Sequence, residues 1–354
     1  MDDDLEALRS SCDRSLAGHG PIRARDLLAT IPPDTEVDRY GDGGVVAALE
    51  ADVADLLGMP AAVYLPSGTM AQQAVLRVHA ERRGRRTVLY HPLCHLDRHE
   101  GRALERLHGL VGRPVGTDTR LIALEDLDAV AEPAAALVLE LPQRDLGGQL
   151  PTWEDLQAQV AWARGRGAAA HLDGARLWEA SAGYGRPPAE IAGLFDTAYV
   201  SFYKGIGALA GCCLAGPADV VAEVREWRRR MGGTLFGLWP GAASAQTLLR
   251  PRLARMPDYL AHARAIAEAL RGRDGVRVLP EPPQTPMLHL LLRTSPEAFA
   301  QHALAHAREG LWTWPAAMPG LDPGTCRVEL SVGEATCAMS PQEVAAVVSG
   351  FTRP

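Results

Sequence analysis

The order of apolar and polar residues predicts alternating helices and strands over the first 250 or so positions. In residues 43–58, apolar side chains recur at the three- and four-residue spacing of a helix, and Gly58 is a typical helix end. A short apolar run at 61–65 predicts a strand, and a second helical pattern then reaches about Arg83. The sequence also predicts a helix at 152–166 with Thr152 as its N-cap, and strands at 87–90, 136–141, 169–172, 197–202 and 211–215.

Strands that alternate with helices are typical of an α/β fold, in which helices cover both faces of a mainly parallel sheet. After about Arg250 the pattern changes and predicts a smaller α+β domain, with helices at 257–271, 296–309 and 341–350 and strands at 287–292 and 326–331. We therefore expect an N-terminal segment at 1–40, a large domain at 41–250 and a small domain at 251–354.

Composition excludes several classes of function. The formal net charge is −7, which argues against a nucleic-acid partner, and we interpret the cluster at 228–230 as a solvated helix face or a local anion contact. An uncharged apolar run of about 18 residues, as a membrane helix needs, is missing, and the acidic start does not resemble a secretory signal. The six cysteines lack metal-finger spacing, so we expect buried free thiols, a reducing cytoplasm and no metal site.

Lysine occurs once in this chain. Of the 36 lysine and arginine residues, only Lys204 is a lysine, a preference that a GC-rich genome would produce. Arginine cannot replace lysine where an amine must form an imine, because the guanidinium stays protonated. Lys204 is therefore a candidate nucleophile, although its survival by chance is an alternative.

Asp173 and Lys204 each follow a predicted strand, so both side chains can line one edge of the sheet. Taken alone, Asp173 could be a helix cap and Lys204 a solvated surface residue. Together they suit pyridoxal phosphate (PLP), whose aldehyde needs an amine and whose ring nitrogen needs a carboxylate. Its phosphate needs backbone N–H groups at a helix start, which the turn Ser67-Gly68-Thr69 can supply, although such turns are common.

The sequence resembles the low-specificity L-threonine aldolase and β-eliminating lyase family of fold-type I PLP enzymes. The resemblance covers about 39–216 and is looser to the end of the chain. It rests on the following stretches, in the family's order: Tyr40-Gly41-Asp42, Leu65-Pro66-Ser67-Gly68-Thr69-Met70, His91-Pro92-Leu93-Cys94-His95, His171-Leu172-Asp173-Gly174-Ala175-Arg176-Leu177 and Ser201-Phe202-Tyr203-Lys204-Gly205-Ile206-Gly207.

The resemblance implies a role for each candidate residue. Lys204 would hold PLP as a Schiff base and Asp173 would pair the ring nitrogen, while His95 would stack on the ring near the substrate hydroxyl. Arg176 would lie beside the phenolic oxygen of the cofactor or the substrate carboxylate. Arg327 resembles the carboxylate-binding arginine of the small domain, and Ser10 resembles a serine of the N-terminal segment that meets the same carboxylate. Without the resemblance, His95 would be read as structural and both arginines as surface residues.

The chain departs from the family's pattern near the substrate. The family usually has a His-Asn pair before its glycines, but Gln143 and Arg144 stand there, and the chain contains no asparagine. Thr234 and its neighbours replace a Met-Arg step whose arginine reaches a phosphate of the other subunit. Arg144 could hold an acidic group of the substrate, or it could form a salt bridge with Asp145 or Glu140, which we favour.

The resemblance implies a PLP-dependent aldolase that cleaves a threonine-like β-hydroxy-α-amino acid to glycine and an aldehyde, with His95 as the first candidate for the base. Two alternatives are another PLP reaction on the same scaffold, such as β-elimination, transamination or racemisation, and an aldolase for a specialised β-hydroxy amino acid. A binding protein that has kept the fold is a third. The resemblance also implies a homodimer or homotetramer, with residues 1–40 packing on the active site or on the partner subunit.

Overall fold

The computed structural model describes residues 8–9, 11–16, 18–20, 23–320 and 322–352. Thirteen strands lie in these residues: β1 (Arg14–Ser15), β2 (Ala61–Leu65), β3 (Thr87–Tyr90), β4 (Val111–Pro114), β5 (Ala136–Glu140), β6 (Ala169–Gly174), β7 (Thr197–Ser201), β8 (Cys212–Gly216), β9 (Val276–Leu279), β10 (Met287–Leu292), β11 (Leu311–Trp312), β12 (Met318–Pro319) and β13 (Cys326–Ser331).

The helices of the described residues fall between these strands. They are α1 (Ala24–Leu28), α2 (Gly44–Leu57), α3 (Gly68–Arg83), α4 (His95–Arg98), α5 (Ala103–His108), α6 (Leu124–Asp128), α7 (Trp153–Gly165), α8 (Leu177–Tyr184), α9 (Pro188–Ala192), α10 (Ala218–Arg230), α11 (Trp239–Leu270), α12 (Pro296–Arg308), α13 (Glu334–Cys337) and α14 (Pro341–Gly350). Within the described part of the chain, no helix combines the length and the apolar character that crossing a bilayer requires.

A seven-stranded sheet in the order β2-β8-β7-β6-β5-β3-β4 forms the centre of the larger unit. Only β8 runs antiparallel to its neighbours, so β2, β3, β5, β6 and β7 share one direction and end at the same edge. Apart from the exposed edge strand β4, these strands are largely buried and apolar, because helices such as α2, α3, α7 and α10 pack against them. The predicted α/β fold with a mainly parallel sheet is confirmed.

The chain divides into two compact units. The larger consists of Leu27–Asp145 and Leu150–Leu253. The smaller takes in the described residues before Leu27, together with Leu146–Gln149 and those from Ala254 onwards. It contains a four-stranded antiparallel sheet in the order β12-β13-β10-β9 and a short parallel pair, β1 and β11.

Helix α11 differs most from its prediction. It begins at Trp239, whereas the sequence predicts a helix only from Pro257. Pro251 and Pro257 lie inside it, and an interior proline normally ends a helix because it removes one backbone hydrogen bond. Apolar residues before, between and after these prolines are nevertheless buried, as Leu249, Met256 and Leu260 show. Their burial outweighs the local cost of the prolines.

Two smaller predictions have clear outcomes. Thr152 is the N-cap of α7, and its hydroxyl accepts a hydrogen bond from Asp155 N at 3.1 Å, as predicted. Of the two interpretations of the arginine cluster, the solvated face is wrong for Arg228, which is 1% exposed and donates to the carbonyl of Tyr64 at 2.8 Å. Its Nη1 also lies 4.0 Å from Oε1 of Glu50, which agrees with the local anion contact. An arginine so placed belongs to the interior and is not part of a solvated face.

Candidate active site

Parallel strand ends bring the candidate residues of the larger unit to one edge of the seven-stranded sheet. Glu140 and Asp173 are directly paired residues of β5 and β6, and Asp173 is in turn paired with Tyr199 of β7. Lys204 follows β7 after two residues, and Ser67 follows β2 at the same edge. The site is therefore built from the carboxyl ends of neighbouring strands.

Asp173 is buried, with 2% of its surface exposed. Its Oδ1 accepts a hydrogen bond from Ala175 N at 3.1 Å. Burial raises the pKa of this carboxyl group, while the charge of Lys204 opposes the rise. The helix-cap alternative for Asp173 is wrong, because α8 begins later and Arg176 is its N-cap.

Lys204 lies half-buried in the loop after β7. Burial is the largest cause that lowers the pKa of Lys204, and the positive charge of Arg176 lowers it further. The negative charges of Asp173 and Glu140 raise it. A lowered pKa increases the fraction of neutral amine, which is the nucleophilic form. Arg176 is thus close enough to Lys204 to influence its protonation, as a remote surface residue would not be.

The turn Ser67-Gly68-Thr69 leads from β2 into the 16-residue helix α3. Ser67 is the N-cap, and its hydroxyl accepts a hydrogen bond from Met70 N at 3.2 Å. A Cβ atom on Gly68 would collide with the hydroxyl group of Tyr199, so glycine is required for this close approach. The N–H groups at the start of such a helix favour an anion.

His95 begins the short helix α4, just after β3. Its Nδ1 lies 3.1 Å from Oε1 of Glu100, whose side chain is only 1% exposed. The charge of His95 also lowers the pKa of Asp173, so the imidazole stands within electrostatic reach of that carboxyl group. The structure therefore brings His95, Asp173 and Lys204 to one site.

Glu140 is a member of the site that the sequence does not single out. Its carboxyl group accepts hydrogen bonds from Arg144 N at 3.2 Å, Gln143 Nε2 at 3.3 Å and His95 N at 3.4 Å. Burial, followed by the negative charge of Asp173, raises its pKa to about 7. The sequence did not point to Glu100 or Tyr199 as members of the site either. A strand that ends in an acid, as β5 does, is a signal that could have identified Glu140.

Three further residues, Arg144, Arg327 and Ser10, are candidates for binding the substrate. Arg144 forms an ion pair with Asp145 at 3.4 Å, the type of contact that we favoured for it. Arg327 lies on β13 of the smaller unit, where its Nη2 is 3.6 Å from Sδ of Met318, and its contact with a substrate stays a prediction. Ser10 lies outside the described residues.

Comparisons with known proteins place the chain in a family. The sequence model of the beta-eliminating lyases matches residues 22–292. The low specificity L-threonine aldolase of Escherichia coli (strain K12) is 32% identical over 267 residues, which are 73% of this chain and 78% of that protein.

Two solved structures extend this likeness over nearly the whole chain. One, from Exiguobacterium sp. 255-15, is provisionally assigned as an aromatic amino acid beta-eliminating lyase/threonine aldolase. It has a TM-score of 0.92 and 37% identity, covering 98% of this chain and 99% of its own. The other, from Listeria monocytogenes EGD-E, is provisionally assigned as an L-allo-threonine aldolase. It has a TM-score of 0.92 and 35% identity, covering 99% of each chain.

The residues at the sheet edge fit PLP on their own chemistry. Ser67 caps the start of the long helix α3, where backbone N–H groups suit a phosphate, and Asp173 is a buried carboxyl group that suits a pyridinium nitrogen. Lys204 supplies the one ε-amine of the chain, with a lowered pKa. Because its sequence, its fold and these residues agree, the chain belongs to the beta-eliminating lyase family and is a PLP-dependent lyase of the threonine aldolase type.

Proposed function

We propose that this enzyme cleaves a threonine-like β-hydroxy-α-amino acid to glycine and an aldehyde by retro-aldol chemistry. The observation that carries the proposal is the position of His95, whose imidazole meets a buried carboxylate of Glu100 and lies within electrostatic reach of Asp173. A retro-aldol cleavage needs a base at the β-hydroxyl group, in addition to the cofactor-binding pair of Lys204 and Asp173.

In this proposal the cofactor is held at three points. Lys204 would bind its aldehyde covalently, Asp173 would hold the proton of its ring nitrogen, and the turn Ser67-Gly68-Thr69 would bind its phosphate. When bound, PLP withdraws electrons from the Cα–Cβ bond of the amino acid, which is the bond to be broken. The buried position of Asp173 supports its role, because a buried carboxylate gains most from a cationic partner.

The substrate is held by arginine and positioned against the imidazole. Arg176 would lie beside the phenolic oxygen of the cofactor or the substrate carboxylate, and its electrostatic effect on Lys204 supports either position. Arg327 and Ser10 also bind the carboxylate. His95 accepts the proton of the β-hydroxyl group while the Cα–Cβ bond breaks, and the same site returns a proton to Cα so that glycine can leave.

A specialised β-hydroxy amino acid is a second candidate substrate. Gln143 and Arg144 replace the usual His-Asn pair of the family, and both donate hydrogen bonds to Glu140. Arg144 is engaged by Asp145, but its side chain remains 32% exposed and could contact an acidic group of a substrate. Another PLP reaction, such as β-elimination, transamination or racemisation, would require a different bond to be aligned for cleavage.

The assembly and the compartment are also part of the proposal. We expect a homodimer or homotetramer in the cytoplasm, acting on a small molecule. The six cysteines are free thiols and five of them are buried, which is consistent with a reducing compartment.

A product assay tests the proposal. The PLP-loaded enzyme is incubated with L-threonine and, separately, with L-allo-threonine, and acetaldehyde and glycine are measured together. Equal amounts of both products are expected. A keto acid with ammonia, or the enantiomer of the substrate, would replace the aldolase with one of the alternative reactions. A yellow enzyme that gives none of these products would direct the search to other β-hydroxy amino acids.

A further inference from the structure

Glu100 connects His95 to the interior of the larger unit. One carboxylate oxygen, Oε1, lies 3.1 Å from His95 Nδ1, and the other, Oε2, accepts a hydrogen bond from Gln73 Nε2 at 2.5 Å. Gln73 lies on α3, the helix that begins at the Ser67-Gly68-Thr69 turn, and is completely buried. The contact therefore joins the candidate base to the same helix that carries the candidate phosphate site.

The backbone around Glu100 makes this contact possible. Gly101 and Arg102 both have positive φ angles, +59° and +60°, so the chain reverses directly after the glutamate and before α5 begins. Ala103 N donates to the carbonyl of Glu100 at 3.0 Å. This turn directly follows Glu100, which lies five positions after His95 and has a side chain that is only 1% exposed.

A carboxylate in this position determines which nitrogen of His95 carries the proton. An ionised carboxylate only accepts hydrogen bonds, so the ring must donate to it from Nδ1–H. In the neutral imidazole the lone pair then lies on Nε2, which has no hydrogen-bond partner among the residues that the structure describes. Fixing one tautomer of a catalytic histidine is the established use of a buried carboxylate beside it.

We propose that Glu100, held in place by Gln73, is a positioning residue that keeps His95 in the tautomer with its proton on Nδ1 and its lone pair on Nε2. The catalytic meaning of this tautomer rests on the proposed function, since it makes Nε2 the atom that accepts the β-hydroxyl proton. The tautomer itself is a property of these three side chains and does not depend on which substrate the enzyme uses.

Nitrogen NMR measures the tautomer directly. The PLP-loaded enzyme is labelled with 15N-histidine, and the signals of His95 are assigned by their loss in His95→Gln. The wild-type enzyme at a pH where the ring is neutral should show a protonated Nδ1 and an unprotonated Nε2. The reverse pattern in the wild type would overturn the proposal without any further variant.

Two variants test the residues that hold the tautomer. In Glu100→Gln the amide can donate as well as accept, so the preference for Nδ1–H should be lost. We expect kcat to fall by about 100-fold or more with little change in KM, because the base then often presents a proton instead of a lone pair. Gln73→Leu should reduce kcat and the tautomer preference by a smaller amount.

Matched controls separate positioning from general damage. Glu50→Gln removes a different half-buried carboxylate, which binds Arg225, and Gln72→Leu removes the neighbouring buried amide on α3, which is hydrogen-bonded to His171. Both controls should keep the wild-type tautomer of His95. If Glu100→Gln folds and also keeps the wild-type tautomer of His95, the proposal is wrong. If Gln73→Leu leaves both the tautomer and kcat unchanged, Gln73 does not hold Glu100 in place. Failure of the aldolase assay alone would overturn the proposed reaction and leave the tautomer result to be judged separately.

Discussion

Glu140 and Asp173 stand side by side at the ends of two neighbouring parallel strands. Asp173 is buried, Glu140 keeps part of its surface accessible, and burial raises the pKa of both carboxyl groups. Two such groups resist ionising together, so the pair loses its protons in two separate steps that belong to both groups. Burying two neighbouring carboxyl groups lowers the free energy of unfolding. The arrangement persists because the cofactor site needs a buried carboxylate.

The pH dependence of stability should reveal Glu140. Its pKa is about 7 in the folded protein, against an ordinary value of 4.5, so the folded state binds the proton more tightly. The stabilising contribution of the protonated group is complete below pH 4.5 and is lost as the pH rises through 7. In the cofactor-free enzyme, Glu140→Gln should therefore gain about 1–3 kcal/mol of unfolding free energy relative to the wild type between pH 4.5 and 8.

Urea unfolding at several pH values measures this difference. Glu343→Gln is a suitable control, because hydrogen bonds from Ser340 lower the pKa of Glu343, so that its titration lies below this range. A constant difference between Glu140→Gln and the wild type from pH 4.5 to 8 would show that the pKa of Glu140 is not raised.

The single lysine makes the cofactor attachment unusually easy to test. Borohydride reduction of the PLP-loaded enzyme, followed by proteolysis and mass spectrometry, should find the cofactor on the peptide that contains Lys204. Lys204→Ala should lose the absorbance of the bound cofactor and reduce activity by roughly three or more orders of magnitude. Lys204→Arg is the matched control for charge, and it should be equally inactive because a guanidinium cannot form the bond. A Lys204→Ala enzyme with wild-type absorbance would contradict the assignment.

Asp173→Asn should separate cofactor binding from cofactor activation. The amide is almost the same size as the carboxyl group, but it cannot stabilise a protonated ring nitrogen. We expect kcat to fall by roughly 100-fold or more while PLP still binds, as measured by absorbance and by steady-state kinetics. Asp173→Glu keeps the charge and should recover part of the activity. Equal activity in Asp173→Asn and the wild type would remove Asp173 from the mechanism.

Gly68→Ala should weaken cofactor binding, because its methyl group would meet the hydroxyl group of Tyr199. A rise of about tenfold or more in the Kd for PLP is expected from fluorescence titration, since either the turn or the tyrosine must move. Removing the hydroxyl in Gly68→Ala/Tyr199→Phe should restore part of the affinity. Gly165→Ala is the control, because a Cβ atom there meets only open space at the end of α7. Unchanged affinity in Gly68→Ala would show that the phosphate lies elsewhere.

Local sequence signals predicted most of the fold. Apolar runs and helical spacing identified the strands of the central sheet, and hydroxyl caps such as Thr152 marked a helix start, because each depends on neighbouring residues. The extent of α11 could not be predicted in this way. Its interior prolines are a local stop signal, and only the burial of apolar residues around them explains why the helix continues.

The sequence by itself determined the reactive groups of this protein. Lys204 is its one ε-amine, and Asp173 and the Ser67-Gly68-Thr69 turn follow strands, so their chemistry and approximate position could be read from the chain. The tertiary structure alone decided their partners. Strand register set Glu140 beside Asp173, and Gln73 of α3 holds the buried carboxylate of Glu100 that meets His95. Such contacts depend on how distant segments pack, and the pKa values of these groups depend in turn on that packing.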